Sequence, residues 1–460
     1  MSDSVRLIGP AYAVLELTWA CPAFCPGCPG EKRKHLPPMT AAQCETVLDR
    51  LAPAVEEVRI CGGEAVNHPE FRAVVESLER RRMPFILFTA GLWEKPRQVL
   101  ALLRKSPMLR GISFSIHGAT EEVHDRFLSY RSFHEALSLI GQLEKASIPF
   151  QTSTVLGEFN RHQVKDIIRM VFERGSRFHL FRRYIGPVRP GISILRKDLA
   201  ELLSYIVRVK AAGLPVEVDG CVPHCFFPGS FHCNAGMTHC AVDPAGNVKA
   251  CSFAGETYGN LLETSLRRIW SGSRLRKWVS RVPVKCSDCA ALSSCRGGCR
   301  ALQDCFMIRH DPLMEKWGQL TTFQPGSASE QQKQVNDFQP EHVSVVSQVQ
   351  HVDESRTAQA AEDYLRNKAG HEMSDEQAFI AEAPEDLRPF ALFRMRKERS
   401  GYSLILSGEV VSVPESMKWL RNELKGKRTI SDLEATHGRE AALFIMWLHQ
   451  KGFVKLERSL

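Results

Sequence analysis

From residue 12 to about residue 220, short apolar and β-branched runs alternate with longer segments whose apolar residues return every three or four positions. The runs cover 12–18, 57–63, 84–91, 110–118, 149–157 and 177–184. Runs of this length, bounded by Gly or Pro, predict buried strands. The intervening segments, such as 41–51, 71–81, 133–146 and 161–175, carry the helical period. Six such repeats predict an α/β fold whose parallel sheet, with right-handed crossovers, closes wholly or partly into a barrel. Residues 1–220 are thus assigned to a partial (β/α)6 TIM-like barrel.

After Gly220 that pattern stops. Residues 221–320 hold ten cysteines among turn residues, with one short helix near 261–270, and leave little room for a conventional core. Residues 321–385 are polar and aperiodic, which predicts a linker with at most a short edge strand at 343–349. Residues 386–460 alternate near 403–407, then show helical stretches at 415–424, 429–436 and 439–451 and a last strand at 453–456. Strands flanking three helices suggest a small winged-helix domain.

Composition changes this picture in one respect. The 460 residues are 43% apolar and 24% charged, ordinary for a globular chain, and the net charge of +8 is modest for the length. No run reaches the ~20 apolar residues of a membrane helix. The N-terminus lacks the basic start, apolar run and cleavage site of a signal peptide, so a cytoplasmic location without membrane attachment is expected. Fifteen cysteines stand out against this background. In a reducing compartment, clustered cysteines hold metals more often than they form disulfides.

The first cluster, Cys21-x3-Cys25-x2-Cys28, directly follows the first strand. A 4Fe-4S cube usually takes four thiolates, so three on one loop leave an iron open to a small chelating ligand. Loops after the strands of such a barrel build its active face. A zinc knuckle completed by His35 is the competing reading. The second cluster is Cys286-x2-Cys289-x5-Cys295-x3-Cys299, preceded by Cys233, Cys240 and Cys251. A pair of zinc sites competes there. Cys44 and Cys61 read as packed core thiols. Cys221 and Cys225 stay open between burial, ligation and a place near the substrate, with ligation the less favoured.

The three-cysteine loop resembles the signature of the radical S-adenosylmethionine (SAM) superfamily. Gly62-Gly63-Glu64, after the second strand, is similar to that family's Gly-Gly-Glu motif, which implies contact with the amino group of SAM. Thr89-Ala90-Gly91 stands where the family often has Thr-Asn-Gly. Ser115 would contact the SAM ribose or carboxylate, and His117 stands in place of a frequent Asp, as a catalytic or a surface histidine. The resemblance implies a SAM-binding 4Fe-4S cluster on Cys21, Cys25 and Cys28.

Residues 233–299 resemble the SPASM extension of peptide-modifying members, which implies one or two auxiliary 4Fe-4S clusters. Carried over, Cys233, Cys240, Cys251 and Cys299 would hold the first. Cys286, Cys289, Cys295 and a later residue, Cys305, would hold the second. The C-terminal unit is similar to elements that recognise the leaders of ribosomally made peptides.

The implied function is hydrogen abstraction from a precursor peptide or small protein, leading to a crosslink, thioether or oxidation. A flavodoxin or ferredoxin would supply electrons. A small-molecule or tetrapyrrole substrate is the alternative, and a zinc-bearing winged-helix scaffold or regulator the rival of another class. No dense basic face argues for nucleic acid.

Overall fold

The computed structural model describes residues 7–31, 33–219, 221–228, 233–302, 311–314, 387–391, 393–398, 401–406, 409–450 and 453–458. The expected linker and Cys305 lie outside the described residues. Two compact units are formed, the larger beginning at Tyr12 and the smaller joining the N-terminal segment up to Ala11 to the C-terminal residues. No described helix is long and apolar enough to cross a membrane.

The larger unit is built on β1 (Tyr12–Glu16), β2 (Glu57–Cys61), β3 (Phe85–Thr89), β4 (Leu109–Ser115), β5 (Phe150–Leu156), β6 (His179–Arg183) and β7 (Val216–Asp219). They lie side by side in chain order, each parallel to the next. Helices α1 (Ala41–Leu51), α2 (Phe71–Arg80), α3 (Pro96–Leu103), α4 (Glu121–Leu128), α5 (Phe133–Lys145), α6 (Val164–Glu173) and α7 (Arg196–Ala211) fill the crossovers. The sheet is thus a partial barrel, as expected, with one more strand than the six read from sequence.

The amphipathic helices bury one stripe each. In α1 that stripe is Cys44, Val47, Leu48 and Leu51, and the helix opens on a capping box. Gln43 N–H donates to Thr40 Oγ1 at 3.2 Å, and Thr40 N–H donates to Gln43 Oε1 at 2.9 Å. Such a cap contributes about 1 kcal/mol. Cys44 is a packed core thiol, as read.

Residues 233–302 do not form a separate loop-rich body. Strands β8 (His239–Val242), β9 (Asn247–Lys249) and β10 (Thr257–Asn260) continue the barrel sheet, β8 pairing parallel with β1. Helices α8 (Leu266–Trp270), α9 (Ser273–Val279) and α10 (Leu292–Cys295) follow. The expectation of little core is overturned: Leu261, Leu266, Ile269, Trp270, Leu275 and Trp278 are all buried. Aromatic side chains of this size supply most of the burial a short segment needs.

In the smaller unit, β12 (Arg394–Lys397), β13 (Tyr402–Leu406) and β14 (Glu409–Val413) form an antiparallel sheet, while β11 (Leu387–Ala391) pairs with β15 (Val454–Arg458). Helices α11 (Leu420–Glu423), α12 (Ile430–His437) and α13 (Arg439–Gln450) lie between β14 and β15. Leu404, Val411, Leu420, Leu433, Ile445, Leu448 and Phe453 share one core.

Candidate active site and cluster-binding loops

The loop after β1 is held by the loop after β2. Gly63 N–H donates to Thr18 O at 2.6 Å, and Glu64 N–H donates to Ala20 O at 2.9 Å. A Cβ on Gly63 would stand 2.0 Å from Ala20 O, and one on Gly62, whose φ is +138, would stand 2.3 Å from Thr18 O. Only glycine permits this approach. The Gly-Gly pair therefore sets the cysteine loop against the mouth of β2.

Within the loop, Cys21, Cys25 and Cys28 lie near enough for their charges to act on one another. Burial pushes the Cys25 thiol up to about 12, with Cys28 and Cys21 adding to the shift. Burial likewise raises Cys21 to about 11 and raises Cys28. Three thiols this close cannot all ionise unless a cation joins them. The Lys34 ammonium donates to Cys21 O at 2.9 Å and to Ala23 O, and lies 3.4 Å from the Phe24 ring centre. It thus fastens the loop, and its charge works against the burial that raises the three thiols. His35 is exposed.

Glu64 is fully buried. Thr89 Oγ1 donates to its Oε1 at 2.7 Å, and the Ala90 and Leu92 N–H groups donate to its Oε2 at 3.1 and 3.3 Å. Burial lifts its carboxyl to about 7 against these hydrogen bonds. Thr89 itself accepts from Gly91 N–H and Trp93 Nε1, at 2.9 and 2.7 Å. The Thr89-Ala90-Gly91 stretch is thus the cradle of Glu64.

Ser115 ends β4, half-buried, two positions from Ser113 and opposite in direction to the fully buried Phe114. His117 is buried, not a surface residue. Its Nδ1 accepts from Val155 N–H at 3.2 Å and its ring packs 4.5 Å from Phe127. Burial, with His124 and His179 nearby, pushes its pKa far down, so it is a neutral packing group.

Sequence reading missed Arg182 on β6, whose guanidinium stands 3.5 Å from Asp219 and 5.8 Å from the Phe88 ring centre. Its charge reaches both Cys61 and His117. The adjacent arginines Arg182 and Arg183 at the end of a barrel strand were the available signal.

The second cysteine system brings in one thiol, Cys221, beyond the set carried over from the family. The Cys221 thiol hydrogen-bonds with those of Cys233 and Cys299. Cys233 is lowered to about 6, first by Cys221 and then, against burial, by the Arg300 guanidinium. Cys299 is lowered as well, first by Cys221, with Arg183 helping. Cys251 is raised by burial and by Cys233 and Cys299. These four thiols form one group.

Cys240 sits in β8 opposite Ala13, fully buried, and burial alone raises it to about 12. Cys221 has a φ of +57, a left-handed conformation that a non-glycine residue adopts at a cost. Cys286, raised by burial to about 11, feels Cys295, Cys289 and Cys225.

All fourteen described cysteines are free thiols. Among the described residues no three His, Cys, Asp or Glu side chains converge on a single-ion site. Ligands of a cubane bind different irons at its corners and stand farther apart than ligands of one zinc. The donor sets, three thiols on one loop and four in the second region, fit 4Fe-4S clusters.

Comparison with known proteins agrees with this geometry. Residues 15–171 match the Radical SAM superfamily, and residues 233–300 match the SPASM iron–sulfur cluster-binding domain. The mycofactocin maturase MftC of Mycobacterium ulcerans (strain Agy99) is 28% identical over 315 residues, 64% of this chain and 84% of the relative. The AdoMet-dependent heme synthase of Methanosarcina barkeri (strain Fusaro / DSM 804) is 24% identical, over 65% of this chain and 93% of the relative. The PqqA peptide cyclase of Bradyrhizobium diazoefficiens is 25% identical, over 63% and 81%. Streptococcus suis SuiB, solved with SAM bound, shares the fold at a TM-score of 0.56 and 18% identity, covering 64% of this chain and 74% of SuiB. By both family matches, this chain is a radical SAM enzyme with a SPASM extension, working with SAM and 4Fe-4S clusters.

Proposed function

We propose that the enzyme modifies a ribosomally made precursor peptide or small protein by hydrogen abstraction. The observation that carries the chemistry is the grouping of Cys21, Cys25 and Cys28 on one loop that the Gly62-Gly63 pair holds against β2. When bound there, the cluster supplies the electron that splits SAM into methionine and a 5′-deoxyadenosyl radical, which takes a hydrogen atom from the substrate.

The chain's own groups bind and orient. Glu64 faces the SAM ammonium from its Thr89 cradle, Gly62 and Gly63 let the cysteine loop pack against the mouth of β2, and Ser115 at the end of β4 faces the ribose or carboxylate. Arg182 offers a cation for a carboxylate or for an acidic substrate group. Cys221, Cys233, Cys251 and Cys299 are read as ligands of the first auxiliary cluster. Cys286, Cys289 and Cys295 serve the second. An electron donor such as flavodoxin or ferredoxin reduces the enzyme.

The peptide reading draws support from the PqqA peptide cyclase and MftC, and from the C-terminal unit, whose antiparallel sheet β12–β14 suits strand addition by a leader. The heme synthase relative supports the small-molecule alternative without accounting for that unit. Anaerobic reconstitution with a reductant should yield 5′-deoxyadenosine. Cys25→Ala should lose about four irons and abolish that product. A fully loaded wild-type enzyme that never makes 5′-deoxyadenosine would refute the reading.

A further inference from the structure

The second auxiliary set holds three cysteines in Cys286-x2-Cys289-x5-Cys295, and the expected fourth, Cys305, lies outside the described residues. Asp311 stands next along the chain, but every lone-pair direction of its carboxylate is in use. Arg183 donates to both oxygens, Leu313 N–H donates to Oδ1 at 3.1 Å, and Cys299 N–H donates to Oδ2 at 3.0 Å. It is a buried clamp that fixes Cys299 against β6, not a vacant ligand.

A different thiol comes close from upstream. His224 N–H donates to Cys295 Sγ at 3.2 Å, which sets the peptide just before Cys225 directly against this cluster site. Phe226 and Phe227 N–H both donate to Pro223 O, at 2.9 and 3.0 Å, so Cys225 sits inside a tight turn. Arg196 holds that turn from outside: it lies 4.8 Å from the Phe226 ring centre and donates to Pro312 O at 3.1 Å.

The facing wall closes in the same way. Gly298, with a φ of +77, has room for no Cβ, which would stand 3.0 Å from Pro223 and 2.6 Å from Asp311. A Cβ on Gly297 would lie 3.6 Å from Cys286 Sγ. The two glycines let the backbone between Cys295 and Cys299 press against the 221–227 turn. Cys225 is one of the three thiols whose charge reaches Cys286, alongside Cys289 and Cys295.

We propose that Cys225 is the fourth thiolate of the second auxiliary cluster, so that the single turn 221–225 closes both auxiliary clusters, the first through Cys221 and the second through Cys225. On cluster assembly each thiol gives up its proton and binds one corner iron. The strained conformation of Cys221 has a cause in this arrangement: two ligands four residues apart must face opposite sides of one turn. The proposal rests on the reading of residues 221–300 as holding two auxiliary clusters.

The test uses the full-length chain with Cys21, Cys25 and Cys28 replaced by Ala, so that only auxiliary clusters remain. Reconstituted anaerobically, this background should hold about eight irons with equal acid-labile sulfide. Adding Cys225→Ala should remove about four irons, or leave a cluster whose electron paramagnetic resonance signal shifts when an exogenous thiol is added. Cys225→Ser, which keeps a donor at that position, should retain the iron with an altered signal and midpoint potential. Cys305→Ser should match the background in iron and spectrum.

The proposal is overturned if Cys305→Ser strips or alters the second cluster while Cys225→Ala matches the background. A background that holds only about four irons, or zinc without sulfide, fails at the earlier step and removes the two-cluster reading itself. The first cluster's unchanged signal in Cys225→Ala reports that the fold survives, because Cys221 shares the turn.

Discussion

At the scale of single residues, Glu64 shows how burial and ligand chemistry meet. With no ligand, burial holds its carboxyl near 7 rather than the ordinary 4.5. The sign follows from proton counting. Between pH 4.5 and about 7 the folded chain binds a proton at this site that the unfolded chain has released, so this group's contribution to stability falls as pH rises. The bound SAM ammonium favours the ionised form, so binding is coupled to loss of that proton.

SAM affinity should therefore be greatest just above about pH 7, weaken by up to tenfold per unit below it, and fall again above about pH 8 as the SAM amino group loses its proton. Isothermal titration of the cluster-loaded enzyme across pH 5.5 to 8.5, values chosen to bracket roughly that pKa, checks this. Glu64→Gln should bind SAM weakly at every pH and lose the acid-side slope. A wild-type affinity flat on that side would remove Glu64 from contact with the ammonium.

At the scale of elements, one buried ion pair ties β1 to β9. Lys249 Nζ lies 2.9 Å from Glu16 Oε2, both side chains are 1% exposed, and the ammonium also donates to Ser252 O at 3.2 Å. It stands 5.1 Å from the Trp19 ring centre, at the entrance to the first cysteine loop. Glu16 Oε1 has no hydrogen-bond partner, and burial raises the carboxyl despite Lys249.

Removing one partner leaves the other charge stranded. Lys249→Met should destabilise the larger unit by about 3–5 kcal/mol, whereas the double variant Glu16→Gln/Lys249→Met should recover most of that loss. Denaturant midpoints of the two variants, measured with equal cluster loading, decide the matter. Equal destabilisation of single and double variants would mean that the pair's packing, not its charge, holds the strands.

The same scale explains what was legible beforehand. The six strands announced themselves because strands buried on both faces must be continuously apolar. The seventh, Val-Glu-Val-Asp, was too short and too charged to stand out, and β8 to β10 were no longer than it. The three-cysteine loop after β1 was readable because its spacing is local. The grouping of Cys221 with Cys233, Cys251 and Cys299 was not, since it arises only when segments dozens of residues apart fold together.

At the scale of the whole molecule, the proposed peptide reading divides chemistry from capture. The larger unit contains the Gly62-Gly63-Glu64 motif and all the cysteine sites described. The smaller has its own core, and in it Arg396 donates to Gly9 O at 2.9 Å and Pro10 O at 3.2 Å. A recognition unit on the same chain as a radical site works by raising the local concentration of the substrate. Tethering of this kind is worth about 10²–10⁴ in apparent affinity and adds nothing to the chemical step.

Deleting 386–460 should therefore raise the KM for the precursor peptide by about 10²–10⁴. It should leave kcat at saturating peptide, and peptide-independent 5′-deoxyadenosine formation, close to wild type. The isolated segment added in trans should bind the leader yet fail to restore the low KM, because no tether holds it at the site. If the deletion leaves KM for a leader-bearing peptide unchanged, the unit does not capture substrate, and the small-molecule reading gains accordingly. A fall in kcat with KM unchanged would instead make the unit part of the reaction chamber, contrary to the division argued here.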